Sequence, residues 1–345
     1  MRVYLDHNAT TPLRPEARTA MAAAMDVAGN PSSVHAEGRA AKAVVERARA
    51  QVADLVGCAV NQVVFTGSAT EAAAMALAGK EVACAAIEHD CVTAHCALDV
   101  SCPNGIVDLG GEGLIAQQSA NSETGIVQLI PEGRHLCDLV QSAGKVPVDF
   151  RALGCRFGMV SAHKLGGPKG VAALLLQDGL DIDAMIPGGG QEMGRRSGTE
   201  NVIGIAGFGA AAEAAKRDVD AGAWARVEKL RNILENAIEA SEKETIFVGK
   251  EVLRLPNTSC MITPGWKGET QVMQMDLAGF AISAGSACSS GKVRPSRVLK
   301  AMGYSDLEAA SAIRVSLGLE TTEEDVMRFA DAWIAARTKH KGRAA

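Results

Sequence analysis

Short apolar runs alternate with amphipathic helical stretches along most of this 345-residue chain, and that alternation allows few folds. A parallel strand pair needs a long crossover, usually a helix, so the pattern reads as an α/β protein with a mostly parallel sheet. Residues 13–26 place Leu13, Ala17, Ala20, Met21, Ala24 and Met25 on one helical face, with Pro15 near the start. Residues 36–56 give a longer amphipathic helix through Val44, Val45, Ala48, Val52 and Leu55, which Gly57 should end. The strand candidates are Val63–Phe65, Val82–Ile87, Leu114–Gln117, Lys145–Val148, Phe157–Val160 and Val171–Leu176. A helix is expected from about residue 69, and residues 204–240 read as helix interrupted near Asp220–Gly222. After Pro256 the elements shorten, which puts a domain boundary near 245–250. The last helix, about 322–337, would open on a capping box, Thr321-x-x-Glu324.

Composition removes several function classes. The formal charge of -5 argues against a nucleic-acid binder, since neutralising phosphates takes basic patches. No stretch approaches the ~18 apolar residues of a membrane helix, and the opening Met1–His7 turns polar too soon for a signal peptide. The expectation is a soluble, cytoplasmic protein. Nine scattered cysteines with no C-x-x-C argue against a zinc site and a disulfide framework, and most read as small core residues.

Several segments could carry chemistry, and each has a plain alternative. Thr66-Gly67-Ser68-Ala69-Thr70-Glu71 lies between a strand and a helix, where free N–H groups and the helix dipole favour phosphate; a capped helix start would look the same. Lys164, in Ser161-Ala162-His163-Lys164-Leu165-Gly166-Gly167-Pro168-Lys169-Gly170, is the one lysine at a strand end in a glycine-rich loop. Open α/β sheets bind ligands at such ends, and a lysine there can form a Schiff base with an aldehyde; a surface lysine in a turn is the alternative. Asp138 and Gln141 could face one ligand, or form a solvated turn. Cys288, in the small-residue loop Gly285–Ser290, is either an accessible nucleophile or a free cysteine in a turn. The polar loop Gly188–Asn201 could reach a phosphate or a neighbouring subunit. Arg314, inside a strand-like run, either pairs structurally or grips a carboxylate.

Taken together and in this order, the segments resemble the cysteine desulfurases of the NifS/IscS type, pyridoxal-phosphate enzymes of the class V aminotransferase group. The resemblance runs from Tyr4-Leu5-Asp6-His7-Asn8-Ala9-Thr10-Thr11, through Gly29–His35, to about Gly318, and is most specific at Ser161–Gly170, Arg196–Val202 and Gly285–Ser290. It implies the type I fold of pyridoxal-phosphate enzymes. A large domain over residues 13–247 would carry a mostly parallel seven-stranded sheet. Residues 1–12 and 248–345 would form a smaller α+β domain, and the protein would be a homodimer.

By the same resemblance, Lys164 would hold pyridoxal 5'-phosphate covalently. Ala69, Thr70, Ser161 and His163 would bind its phosphate, and Thr199 the phosphate of the other subunit's cofactor. Asp138 would pair with the ring nitrogen, Gln141 with the ring hydroxyl, and His89 would stack on the ring and move protons. Arg314, with Asn121 nearby, would hold the carboxylate of L-cysteine, and Cys288 would take its sulfur as a persulfide. The implied products are L-alanine and sulfur passed to an acceptor protein such as an iron–sulfur scaffold. A selenocysteine lyase or related sulfur-amino-acid lyase, and a trimmed scaffold without turnover, are the alternatives. The spans Thr70–His89 and Ser122–Asp138 are short for the family. Ser122 stands where the family has an asparagine that contacts the ring, Gly67-Ser68 reverses the usual order, and His7 replaces a more common Asn or Tyr.

Overall fold

Residues 2–108, 110, 113–284 and 295–344 are described by the structure, a computed structural model of the chain. A two-residue strand, β1 (Val3–Tyr4), precedes the helices Pro15–Met25 and Ala36–Val56. The second helix ends at Gly57, whose φ of 66° is left-handed backbone that glycine adopts without a Cβ penalty. The central sheet follows, built from β2 (Val63–Thr66), β3 (Val82–Ala85), β4 (Ala97–Val100), β5 (Leu114–Gln118), β6 (Leu136–Asp138), β7 (Phe157–Ser161) and β8 (Ala172–Leu176). Its order is β2-β8-β7-β6-β5-β3-β4. Only β8 runs against its neighbours; the other pairings are parallel.

Both faces of this sheet are covered except at the exposed edge strand β4, which is why its inner strands read as apolar runs. Val63, Phe65, Val160 and Leu175 pack with Val52 and Phe208 under the helices Ala36–Val56 and Val202–Asp220. The alternate residues Val64, Met159 and Leu174 pack on the other side with Ala73 and Leu77 of the helix Ala69–Leu77. Each buried Leu or Phe contributes about 1.5–3 kcal/mol.

The second part of the molecule is a four-stranded antiparallel sheet, β12-β13-β10-β9, made of β9 (Ile246–Phe247), β10 (Thr258–Ile262), β12 (Ser283–Ala284) and β13 (Ala312–Ser316). β1 pairs in parallel with β11 (Phe280–Ala281), so the first residues of the chain sit among much later ones. Trp266, Trp333, Phe280 and Phe329 form the core here, together with Leu230 and Leu234 of the helix Trp224–Ser241.

Three local expectations are corrected. Lys145–Val148 is not a strand: Gly144, at φ 77°, turns the chain, and Pro147 cannot donate to a ladder. Lys145 instead bends back, its Nζ donating to the Gln141 carbonyl (2.9 Å) and to Gln141 Oε1 (3.1 Å). The last helix spans Glu323–Ala344, and its cap lies one residue later than expected. Thr322 Oγ1 accepts from Asp325 N–H at 3.1 Å, and Asp325 Oδ2 accepts from Thr322 N–H at 3.1 Å. Asp138 is not in a solvated turn; it ends β6, buried at 8% exposure.

The connection between the parallel strands β5 and β6 carries no helix. Polar side chains fill that place. Arg134 Nε donates to Gln117 Oε1 at 2.8 Å, Gln117 Nε2 donates to the Leu129 carbonyl at 2.9 Å, and His135 Nε2 meets the Ala76 carbonyl at 3.0 Å.

Candidate active site

Strand register builds the site. Gln118 pairs with Asp138, Asp138 with Met159, and Ser161 with Ala172, which in turn pairs with Thr66. The C-terminal ends of β2, β5, β6 and β7 therefore meet on one edge, the position where open α/β sheets bind ligands. A cavity of about 500 Å³ opens there. Ala69, Thr70, His89, Asp138, Gln141, Ser161, His163 and Lys164 all line it.

One wall is the start of the helix Ala69–Leu77. Ser68 caps it, its Oγ accepting from Glu71 N–H at 3.1 Å. Glu71 Oε2 accepts from Gly67 N–H at 2.7 Å, and its Oε1 accepts from Arg196 Nε at 2.8 Å. The loop 188–201 is thereby tied to the helix start. The same loop is anchored at Glu192, which receives two hydrogen bonds from Arg49 (2.6 and 2.9 Å) and one from Phe65 N–H (2.8 Å). These contacts hold Glu192 and Met193 at positive φ, 48° and 59°, a conformation that costs side-chain-bearing residues about 1–3 kcal/mol. Thr199 lies on this loop, exposed and away from the cavity.

The opposite wall carries the lysine. β7 runs into a single tight turn, Ala162–Lys164, and Gly166 at φ 89° lets the chain fold back. Lys164 Nζ donates to the carbonyls of Asn8 (2.6 Å) and Ala9 (3.0 Å). Gln141 Nε2 donates to the same Asn8 carbonyl at 3.1 Å. His163 Nδ1 lies 3.2 Å from Thr10 Oγ1. The N-terminal segment is thus the frame on which both side chains are set, a role its motif gave no sign of beyond the resemblance.

Burial dominates the electrostatics of the site. Burial pushes the Asp138 carboxyl above its ordinary range, against a hydrogen bond from Val140 N–H (2.8 Å) and the charges of His89 and Lys164. Burial and the charge of Lys164 hold His163 down at about 4, so it is neutral near pH 7. Lys145, just behind Gln141, is held at about 7 by burial, with Lys164 and Arg314 adding to it. A buried carboxyl, hydroxyls with helix N–H groups, and a lysine around one cavity fit pyridoxal phosphate: a ring nitrogen that gains a proton, a phosphate and an aldehyde.

Arg314 and Asn121 stand behind the wall. Arg314, on β13, donates to Asp6 Oδ1 (2.8 Å) and to the carbonyl of Ser122 (3.1 Å), and Ser122 does line the cavity. Its Nε has no hydrogen-bond partner among the described residues. The Asn121 side chain is spent locally: Oδ1 accepts from Glu123 N–H and Thr124 N–H (2.9 Å each), and Nδ2 donates to the Ile87 carbonyl (3.0 Å). Cys288 and the loop Gly285–Ser290 lie outside the described residues. Sequence reasoning passed over Thr10, Gln118 and Cys91, all of which line the cavity. For Cys91 the available signal was its place two residues after His89.

Comparisons with known proteins give the family. The family described as aminotransferase class-V matches residues 3–98 and 111–329. A cysteine desulfurase of Cereibacter sphaeroides is 37% identical over 95% of this chain and 94% of its own. One from Frankia sp. (strain EuIK1) is 39% identical over 95% of this chain and 90% of its own. The solved NifS-like protein of Rickettsia africae superposes with a TM-score of 0.88 at 32% identity, covering 97% of this chain and 100% of that one. No helix among the described residues is long and apolar enough to cross a membrane. On the breadth of these matches, the chain belongs to the class-V aminotransferase family and is a NifS/IscS-type member of it.

Proposed function

We propose that this protein is a pyridoxal-phosphate-dependent cysteine desulfurase that takes sulfur from L-cysteine and releases L-alanine. The observation that carries this reading is the gathering of Lys164, Asp138, Gln141, Ser161, His163 and the Ala69–Thr70 helix start around one cavity. When bound, pyridoxal phosphate supplies an electron sink for charge developing at the substrate α-carbon.

The chain's own residues would do the rest. Helix N–H groups at Ala69 and Thr70, with Ser161 and neutral His163, would hold the phosphate. Asp138 would keep a proton on the ring nitrogen, Gln141 would face the ring hydroxyl, and His89 would lie against the ring. Lys164 would carry the cofactor and, once displaced by substrate, move the α-proton at Nζ. Arg314 would turn toward the substrate carboxylate from its present place behind Ser122, with Asn121 holding the turn beside it.

The Cys288 thiolate would then attack the substrate sulfur. An S–S bond forms, and the C–S bond breaks with its electron pair left on carbon. Protonation of that carbon skeleton gives alanine, while the sulfur stays on Cys288 as a persulfide for an acceptor protein such as an iron–sulfur scaffold. The reading includes a cytoplasmic homodimer in which Thr199 reaches the partner's phosphate. It divides the chain into a large domain over residues 13–247 and a small one over residues 1–12 and 248–345.

The test is alanine released from L-cysteine in the presence of pyridoxal phosphate and a reductant, beside Cys288→Ala. Alanine that depends on Cys288 is the expected result. Equal release from both proteins would replace this reading with a lyase that has no persulfide step. Release from neither, with pyridoxal phosphate unbound, would leave a scaffold.

A further inference from the structure

His89 sits at the cavity wall as the cap of the short helix Asp90–Thr93, and its Nδ1 faces that helix. Two groups of Cys91 converge on Nδ1: the backbone N–H at 3.2 Å and Sγ at 3.1 Å. A backbone N–H can only donate, so Nδ1 must accept and cannot itself carry the proton of the neutral ring. That proton is then on Nε2. It also follows that Sγ–H is the second donor, so the sulfur is present as thiol.

We infer that Cys91 is a positioning residue that, through thiol and backbone N–H, fixes His89 as the Nε2–H tautomer, which makes the second ring nitrogen a proton donor. The inference rests on the reading above, in which His89 lies against the cofactor ring. The consequence for the reaction is directional. His89 in this state can give a proton, or a hydrogen bond, at Nε2 before it can take one there, and the α-proton is left to Lys164. A donor at Nδ1 also favours the neutral ring over the charged one.

Other titratable groups surround His89: Glu88 beside it, Asp138, His163 and Lys164 around the cavity, and Asp90, paired with Arg297 at 2.9 Å, on its own turn. All are the same in a Cys91 variant, so a difference between variants reports on the thiol.

The experiment uses the cofactor-loaded protein with ¹⁵N-labelled histidine, read by long-range ¹H–¹⁵N correlation from pH 5 to 8. His89→Gln identifies the His89 signals. In the unsubstituted protein an unprotonated Nδ1 and a protonated Nε2 are expected. Cys91→Ala removes one weak donor to the neutral ring and should raise the His89 midpoint by about half a pH unit. Cys91→Ser restores a donor and should bring the midpoint back. A proton on Nδ1, an unchanged midpoint in Cys91→Ala, or a Cys91→Ser protein that behaves like Cys91→Ala would each overturn the inference. The readout does not use turnover. Absence of alanine with the expected tautomer would sink the desulfurase reading and leave this one standing.

Discussion

Arg49 and Glu192 are buried as deeply as the charged groups of the cavity, yet they are treated in the opposite way. Their side chains are 5% and 2% exposed and matched fork to fork, with Phe65 N–H completing the set. Burial alone would lower Arg49; the hydrogen bonds and charge of Glu192 outweigh it and raise it instead. Arg254 and Glu235 repeat the arrangement at 2.8 and 2.9 Å. At the cavity burial wins instead. Asp138, His163 and Lys145 are each pushed toward their neutral forms, with burial as the first cause. A buried ion that holds loops together is given its counter-ion by the fold, whereas one that serves a ligand waits for it.

The hardest way to break this comparison is to remove half of a matched pair. Arg49→Met strands Glu192 in the interior and should cost about 3–5 kcal/mol in urea unfolding. A double variant that also replaces Glu192 with leucine should recover much of that loss, because no bare charge is left. Next comes Asp138→Asn, which keeps shape and removes the buried carboxyl that the proposed function sets against the cofactor ring. Alanine release should fall about 10²-fold or more, while the melting temperature of the cofactor-free protein should not fall. A drop in both would mean that Asp138 belongs with the structural pairs after all.

A pH profile sharpens the point further. Lys145 releases its proton near 7 in the folded protein, against 10.5 for an ordinary lysine. Between those values the unfolded chain binds more protons than the folded one, so stability should climb with pH across the window. The climb should reach at most about 1.4 kcal/mol per pH unit. In Lys145→Met, measured by urea unfolding at several pH values, the slope should flatten. The smallest effect is expected far from either charge set: Thr322→Ala removes the cap of the last helix and should cost about 1 kcal/mol, with alanine release unchanged.

The same contrast explains what could be read from the sequence. Elements whose burial is purely apolar were legible, because periodicity reports burial. The helices at 36–56 and 202–220 and the strands around Val63, Phe157 and Val171 all fell near their expected places. β6 was not legible, since its three residues end in Asp138 and follow His135, and a buried strand that delivers a carboxylate to a cavity looks like a turn. Lys145–Val148 erred the other way, its apolar valines suggesting a strand that Gly144 and Pro147 forbid. The site residues on strand ends and the glycine-rich turn were identified from motif and resemblance together. Cys91 and the carbonyls of Asn8 and Ala9 were hidden, the first because a thiol in an apolar run passes for core, the others because backbone atoms leave no mark in a sequence.

The pairing of Asp6 with Arg314, across 308 positions of sequence, also sets a timetable. A ribosome adding ~5–20 residues per second exposes Lys164 roughly ten to thirty seconds before Arg314. Until then the first strand has β11 but not β13 to lie against, and the Asn8 carbonyl that steadies the lysine has no fixed address. A nascent chain would therefore carry Lys164 in an unfinished frame, which is completed only by residues made long after it.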